Sequence, residues 1–242
     1  MLLFTLVQIL SWLTLAACEG VQIIGGEPIG IQKAPYMALF RPVGVRYYCG
    51  ASIVSDQFLV TAAHCVSDDE KMEVTVGTNN ASSGGQTYQV AKMVTHPQFG
   101  DSQFNNDVAV VKLVEKIKFS DRVRPIKLAE AGLVIEDSAE FRIIGFGRTE
   151  TGLPSEQLLS VQVPHVPPVN CSESHHGLIT DQMICAGLPT KGGCMGDSGG
   201  PLVYGDKLIG VVSFGSMFCN VPSVFARISA LRDFIDRVMG EN

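Results

Sequence analysis

The six residues Gly196-Asp197-Ser198-Gly199-Gly200-Pro201 carry the most information about fold and chemistry in this sequence. They set a serine in a loop where glycines allow backbone angles and close approaches that other residues do not. A serine hydroxyl is a poor nucleophile near neutral pH and becomes reactive when a neighbouring imidazole removes its proton. Two backbone N–H groups must also stabilise the oxyanion that develops, and Gly196 and Ser198 are the candidates for this oxyanion hole. The loop therefore predicts a nucleophilic serine.

Two earlier segments hold the other groups that such a serine requires. Thr61–Cys65 places His64 directly after a predicted strand. Asn106–Leu113 places Asp107 at the entry to a strongly apolar strand. An aspartate can hold an imidazole in the tautomer that accepts the serine proton. Each residue alone is more often structural, but in the order His, Asp, Ser they predict a catalytic triad of His64, Asp107 and Ser198.

The composition is that of a globular, turn-rich protein. Of 242 residues, 46% are hydrophobic and 17% charged, with 25 glycines and 12 prolines, which is far from the composition of disordered chains. The net charge of −6 argues against a nucleic-acid partner, because phosphate binding needs a basic face.

The first twenty residues predict a signal peptide. Leu2–Ala17 is uncharged and apolar, and the small residues Cys18 and Gly20 follow it, as a signal-peptidase site requires. The run falls short of the ~20 residues that span a membrane, so no stable membrane insertion is expected. We therefore expect a secreted protein, with storage in a secretory granule as a further option.

The pattern after residue 22 is that of an all-β protein with one helix. Short β-prone runs such as Phe58–Thr61 and Lys207–Val212 are separated by turn residues, which predicts a sandwich or barrel. Around Ser120–Leu133 the pattern breaks, and a linker between two halves or a long surface loop explains it equally well. Apolar residues at three- and four-residue steps predict a helix over residues 228–239, ended by Gly240.

The cysteines agree with an oxidising compartment. There are seven, and with Cys18 in the signal region six remain, for which about 15 pairings are open. No C-x-x-C pair is present, so disulfides are favoured over a metal cluster. The sequons at Asn80 and Asn170 permit N-glycosylation.

With the segment Ile23–Gly26 added to the three motifs above, the chain from residue 23 onward resembles the chymotrypsin–trypsin family of serine proteases. The resemblance implies a serine endopeptidase built from two six-stranded antiparallel β-barrels and a C-terminal helix. The barrels would cover about residues 23–120 and 121–227, with the site in the cleft between them. It implies no cofactor and no metal, and three disulfides: Cys49 with Cys65, Cys171 with Cys185, and Cys194 with Cys219.

By the same resemblance, His64 acts as general base and then general acid, Asp107 orients it, and Ser198 attacks the scissile carbonyl. Cleavage before Ile23 would free an ammonium group that pairs with Asp197, because an isolated buried carboxylate is costly. Residues 21–22 would then form a short propeptide removed by an activating protease, as in granule proteases. Signal cleavage after residue 17 or 18 would leave a longer one.

The residues of the specificity pocket are also implied by aligning the chain with this family. Gly192 lies at the floor position, six residues before Ser198, where trypsin-like members carry an aspartate. The remaining pocket positions are uncharged: Gly193, Met195, Gly215 and Ser223. Ser213, Phe214 and Gly215 are expected to pair with the substrate backbone as an added strand. A roomy, uncharged slot predicts cleavage after Phe, Tyr, Leu or Met.

Other functions and sites are disfavoured. A catalytically silent homologue serving as a binding or defence protein would usually lack His or Ser of the triad, and an α/β esterase has a different serine motif. Partners should be protein or peptide substrates, protein inhibitors and the activating protease. The acidic residues near 68–73 do not match a calcium loop, and His175 and His176 are expected at the surface.

Overall fold

Short strands dominate the fold, which is described by a computed structural model for residue 23 and residues 25–45, 49–101, 103–149 and 152–241. The expected signal peptide (1–20) and propeptide (21–22) lie outside the described residues. The strands in this part of the chain are β1 (Glu27–Pro28), β2 (Met37–Pro42), β3 (Cys49–Ile53), β4 (Phe58–Thr61), β5 (Met72–Val76), β6 (Gln86–Thr95), β7 (Ala109–Leu113), β8 (Lys127–Leu128), β9 (Glu140–Gly145), β10 (Leu159–Val166), β11 (Met183–Ala186), β12 (Pro201–Tyr204), β13 (Lys207–Phe214) and β14 (Ser223–Arg227). The α-helices are α1 (Pro168–Ser174) and α2 (Ile228–Glu241).

Strands β2 to β7 close the first barrel. Their order around it is β2-β3-β4-β7-β6-β5, and every pairing is antiparallel. Two strands of this ring carry mostly small or aliphatic side chains and are buried along most of their length: all five residues of β3 are buried, as are four of the five in β7. Such side chains fit a pleated surface that is covered on both faces.

Strands β9 to β14 close the second barrel. The sheet runs β10-β11-β14-β13-β12-β9, and β9 also pairs with β10, which completes the ring. All these pairings are antiparallel. The prediction of an all-β fold with two six-stranded barrels and a C-terminal helix is therefore confirmed.

The segment after Ile23 crosses from one barrel to the other. Although it precedes the strands of the first barrel, β1 pairs with β10 of the second, with Glu27 opposite Ser160. The Ile29 N–H donates to the Leu158 carbonyl at 2.9 Å. One continuous cluster of buried apolar side chains spans both barrels. The division into two domains near residue 120 stays a prediction.

Helix α2 has the amphipathic pattern that its sequence predicts. Its buried apolar residues lie on one face: Ile228, Leu231, Phe234, Ile235 and Val238. The helix runs through Gly240 to Glu241, two residues past the expected end, because a glycine is tolerated in an exposed last turn. Helix α1 was not predicted, and of its seven residues only Cys171 is buried.

The three disulfides are those that the family resemblance implies. Cys49–Cys65, Cys171–Cys185 and Cys194–Cys219 have Cα–Cα distances of 6.2, 6.3 and 5.4 Å, within the usual range. Among the described residues, no helix combines the length and the apolar character needed to cross a membrane.

Candidate active site

His64 and Asp107 are joined by two hydrogen bonds at the mouth of the first barrel. His64 lies in a short 3-10 turn directly after β4. Its Nδ1 is 2.7 Å from Asp107 Oδ2, and its backbone N–H donates to Oδ1 at 3.0 Å. The Ser213 hydroxyl donates to Oδ2 at 2.6 Å. These bonds place the N–H of the imidazole at Nδ1 and leave Nε2 as a proton acceptor.

Asp107 is completely buried, and the chain around it is shaped to aim its carboxylate. The preceding Asn106 has a φ of +57°, in the left-handed region that asparagine tolerates better than most residues. The Val108 N–H bonds back to the Asn106 carbonyl at 2.8 Å. This tight turn brings Asp107 out of the apolar run of β7 and toward His64.

Ser198 lies where the two barrels meet. Its carbonyl accepts from the Gly50 N–H of the first barrel at 2.7 Å, and the next residue, Gly199, donates to Val212 of the second at 2.9 Å. Gly199 has a φ of +76°, and a Cβ there would lie 2.3 Å from Thr61 Oγ1. Only glycine therefore allows the serine loop to come this close to the segment that carries His64.

The two N–H groups of the expected oxyanion hole belong to the same loop. Gly196 has a φ of +96°, which a residue with a Cβ rarely adopts. The Gly200 N–H closes the loop by donating to the Asp197 carbonyl at 2.8 Å. The loop thus has the local shape that the glycines predicted.

Asp197 is completely buried beneath this loop. Its carboxylate accepts from the N–H groups of Gly147 at 2.8 Å and Cys194 at 2.9 Å. Burial raises the pKa of Asp197 to about 6, and the two N–H donors act in the opposite direction. Ile23 is also fully buried, but in the uncut chain its nitrogen belongs to a peptide bond, so the expected ion pair has no ammonium from which to form.

Two glycines that sequence reasoning did not single out make room for this carboxylate. A Cβ at Gly145 would lie 2.2 Å from Asp197 Oδ1, and a Cβ at Gly147 would lie 2.3 Å from Oδ2. Their close approach, rather than a special backbone angle, explains why glycine stands at both positions.

A cavity of about 300 Å³ opens beside Ser198. Four of the predicted pocket residues line it: Gly193, Met195, Gly215 and Ser223. Gly192, the predicted floor residue, is not among the residues that line the cavity, and a Cβ built on it would be 3.4 Å from Ser223 Oγ. The Ser223 hydroxyl donates to the Gly193 carbonyl at 3.2 Å. None of the described side chains that line the cavity is charged.

The predicted substrate strand forms one wall of this cavity, and its phenylalanine begins a series of aromatic contacts that ends at His64. Ser213, Phe214 and Gly215 all line it. The Phe214 ring stacks on Phe104 at 5.2 Å, and Phe104 meets the edge of His64 at 5.9 Å. Sequence reasoning missed Phe104, because nothing in the loop before Asp107 shows which way that side chain points.

His175 is buried, and the expectation that it lies at the surface was wrong, whereas His176 is exposed as expected. The His175 ring donates from Nε2 to the Pro222 carbonyl at 2.8 Å and meets the edge of Phe214 at 5.6 Å. Pro222 directly precedes Ser223. His175 therefore links the substrate strand to the opposite wall of the cavity, which no local pattern in the sequence reveals.

One cluster near the site has the residue types of a metal centre. Ligand atoms of Cys49, His64 and Cys65 lie within 4.8 Å of one another. The two sulfurs are joined in a disulfide, so neither is a thiolate that could bind an ion.

Comparison with known proteins agrees with this geometry. The family model described as Trypsin matches residues 23–235. The chain is 35% identical over 256 aligned positions to a trypsin of Phaedon cochleariae, covering 98% of both proteins. It is 36% identical over 228 residues to a vitellin-degrading protease of Bombyx mori, covering 89% of this chain and 85% of that one. With trypsin 5G1 of Aedes aegypti the identity is 33% over 229 residues, covering 90% of this chain and 85% of that one.

Proposed function

The chain belongs to the trypsin family of serine proteases, and on that premise we propose that it is a secreted endopeptidase that cleaves after large apolar residues through an acyl-enzyme. The observation that carries this proposal is an uncharged cavity beside Ser198, next to a histidine that is bonded to a buried aspartate. The first feature concerns specificity and the second concerns catalysis.

The proposed mechanism assigns one role to each polar group. His64 takes the proton from the Ser198 hydroxyl as it attacks the scissile carbonyl, and then returns it to the leaving amine. Asp107 holds the ring and stabilises the imidazolium, helped by the Ser213 hydroxyl at 2.6 Å. The N–H groups of Gly196 and Ser198 stabilise the oxyanion. Water then hydrolyses the acyl-enzyme by the same steps in reverse.

The proposed specificity rests on two features of the cavity, which are the absence of a carboxylate from its described lining and the presence of apolar side chains. A trypsin-like preference for Arg or Lys needs a carboxylate at the floor of the pocket, but the family resemblance assigns that position to Gly192, with Gly193 beside it. The described lining offers sulfur and apolar surface from Met195, Val212 and Met217. A buried methylene contributes roughly 0.8 kcal/mol, so large apolar side chains gain most. Two of the relatives named above are called trypsins, and on this reasoning the present chain differs from them in its substrate.

The proposed activation step is a cut between Gln22 and Ile23. The new ammonium would pair with Asp197, whose carboxylate is otherwise buried with two backbone donors and no counter-charge among the described groups that contact it. Such a pairing would offset part of the cost of burying the charge. The same proposal includes secretion directed by a signal peptide (1–20) and a short propeptide (21–22). It also includes glycans at Asn80 and Asn170. As partners it includes protein inhibitors and an activating protease.

A peptide panel tests the function directly. Protein that begins at Ile23 is incubated with substrates that differ only in the residue on the acyl side of the cut: Phe, Tyr, Leu, Met, Arg, Lys, Ala, Val or Asp. We expect kcat/KM to be highest for the large apolar residues, and Ser198→Ala to abolish turnover. Turnover confined to Arg and Lys would keep the mechanism and contradict the account of the pocket.

A matched variant tests the pocket itself. Gly192→Asp places a carboxylate at the floor, where the backbone angle suits any residue and a Cβ fits 3.4 Å from Ser223 Oγ. We expect this variant to gain activity on Arg and Lys substrates and to lose activity on Phe. If correctly cut protein turns over none of the peptides, the chain is instead a catalytically silent member of the family.

A further inference from the structure

A second cavity, of about 270 Å³, lies on the second barrel and shares no lining residue with the cavity beside Ser198. It is bounded by the loop before β9, the end of β10, and β11. Most of its wall is apolar, with Leu133, Ile135, Met183 and Ile184 among the lining side chains. The proposed peptidase mechanism uses none of these residues.

One of the polar residues in this wall is His165, at the end of β10. Its side chain is only 8% exposed, and its ring packs against Phe141 at 5.6 Å. Among the described residues, its Nδ1 has no hydrogen-bond partner. Buried polar atoms nearly always have a partner, so an orphaned nitrogen in a cavity wall indicates that something donates to it.

The proton on His165 is on the other ring nitrogen. Burial lowers the pKa of His165, so the ring is neutral near pH 7, and the Glu136 carbonyl accepts a hydrogen bond from it. Since Nδ1 makes no bond and the Glu136 carbonyl faces the ring, we assign the N–H to Nε2, which leaves Nδ1 as an acceptor.

Asp137 presents a second acceptor to the same space. Its Oδ1 is 4.0 Å from His165 Nδ1, too far for a hydrogen bond and close enough for two acceptors to repel each other. One donor atom with two or more hydrogens would lie about 2.8 Å from both. An ammonium group fits best, because the carboxylate supplies its counter-charge.

We propose that this cavity binds a small primary amine with an apolar body. The ammonium group donates to His165 Nδ1 and Asp137, and the body packs against Ile135, Met183 and Ile184. A cavity of about 150 Å³ holds a benzene ring, so about 270 Å³ accommodates a ring with a two-carbon arm. Arg227, the cation in the wall, lies where this cavity adjoins a neighbouring groove and is bonded to the Ser229 hydroxyl at 3.1 Å.

Methionine-methyl NMR with 2-phenylethylamine tests the proposal. The chain carries reporters in both cavities, because Met183 lines this one and Met195 and Met217 line the one beside Ser198. We expect a saturable shift of the Met183 signal and contacts between the phenyl ring and that methyl group. The neutral analogue 2-phenylethanol should bind about tenfold more weakly at Met183.

Two variants separate the amine site from a simple void. His165→Phe keeps a ring on Phe141 but removes the acceptor, and Asp137→Asn changes a side chain that is 83% exposed and leaves the core untouched. Each should weaken the amine about tenfold and leave 2-phenylethanol unchanged. A Met183 signal that does not respond would overturn the proposal. Equal binding of amine and alcohol, or of wild type and both variants, would also overturn it and assign the orphaned nitrogen to a water molecule.

Discussion

At the scale of one residue, Asp197 shows what the proposed activation would supply, which is a positive partner for a buried carboxylate. Its carboxyl is buried with a pKa of about 6, against an ordinary value of 3.8. A raised carboxyl pKa means that the folded chain holds the proton more tightly than the unfolded chain does. The uncut chain is therefore stabilised below pH 4 and loses this contribution as the pH rises through about 6.

This predicts a pH-dependent difference between the uncut chain and protein that begins at Ile23. Between pH 4 and 7, the free energy of unfolding of the uncut chain should fall by about 2 kcal/mol through Asp197. In the cut protein an ammonium partner lowers the pKa of Asp197, so the fall should disappear. Urea unfolding of both forms at several pH values measures this.

Asp197→Asn is the control, because an amide of the same shape has no charge to bury. In the uncut chain it should flatten the pH profile between pH 4 and 7. Identical profiles for the uncut and cut wild-type proteins would contradict the activation pair.

His175 is the second residue with a specific consequence. His175→Ala removes the donor to the Pro222 carbonyl and the ring against Phe214, so both walls of the substrate cavity lose a support. We expect kcat/KM on a Phe substrate to fall about tenfold, mainly through KM, because one hydrogen bond of this kind contributes about 1 kcal/mol or more. Steady-state kinetics of the cut protein measures it.

The neighbouring residue, His176, provides a matched control. His176 is exposed, so His176→Ala should leave both kinetic constants unchanged. His175→Gln retains a donor for Pro222 and should recover part of the loss. If His175→Ala lowers stability but leaves KM unchanged, the residue supports the fold and not the pocket.

At the scale of single residues, the sequence predicts which side chains could react better than it predicts which residues surround them. Ser198, His64 and Asp107 could be proposed as catalytic residues because each lies in a short motif. The burial of His175 and the closeness of Gly145 and Gly147 to Asp197 could not be found, because they depend on contacts between segments far apart in the chain.

At the scale of elements, α2 is the clearest case of a predictable structure with a measurable contribution. Phe234 is 5% exposed, and its ring meets His96 of the first barrel at 4.7 Å. Phe234→Ala should lower the free energy of unfolding by about 3–5 kcal/mol, through lost burial and the cavity left behind. Asp233→Ala, on the exposed face of the same helix, should change it by less than about 0.5 kcal/mol. Urea unfolding compares the two; equal effects would mean that α2 does not anchor the barrels.

The other short elements were beyond the reach of sequence patterns for physical reasons. A helix is recognised by a repeated apolar face, and α1 buries only Cys171. Strands β1 and β8 have two residues each, too few to show alternation. Their places are set by the partners that they meet, β10 and β13.

For the whole molecule, alternation alone predicted an all-β protein and left sandwich and barrel both open. Strand patterns report which side chains are buried, but they do not report which strand lies beside which. The two barrels and the disulfide pairs followed from the family resemblance. The cavity beside Ser198 draws Phe104 from one barrel and Met217 from the other, so its full lining emerges only when both are in place.

The pairing of β1 with the second barrel also limits the order in which the contacts of a newly made chain can form. The segment at Glu27 leaves the ribosome long before its partner Ser160 is translated, and the contact of His96 with Phe234 waits for the last helix. The pairings that close the first barrel need only β2 to β7, but its contact with α2 and the pairing of β1 form only after those later segments have been translated. A chain truncated before Leu159 would lack the strand that pairs with β1, so the segment around Glu27 would have no partner strand to hold it.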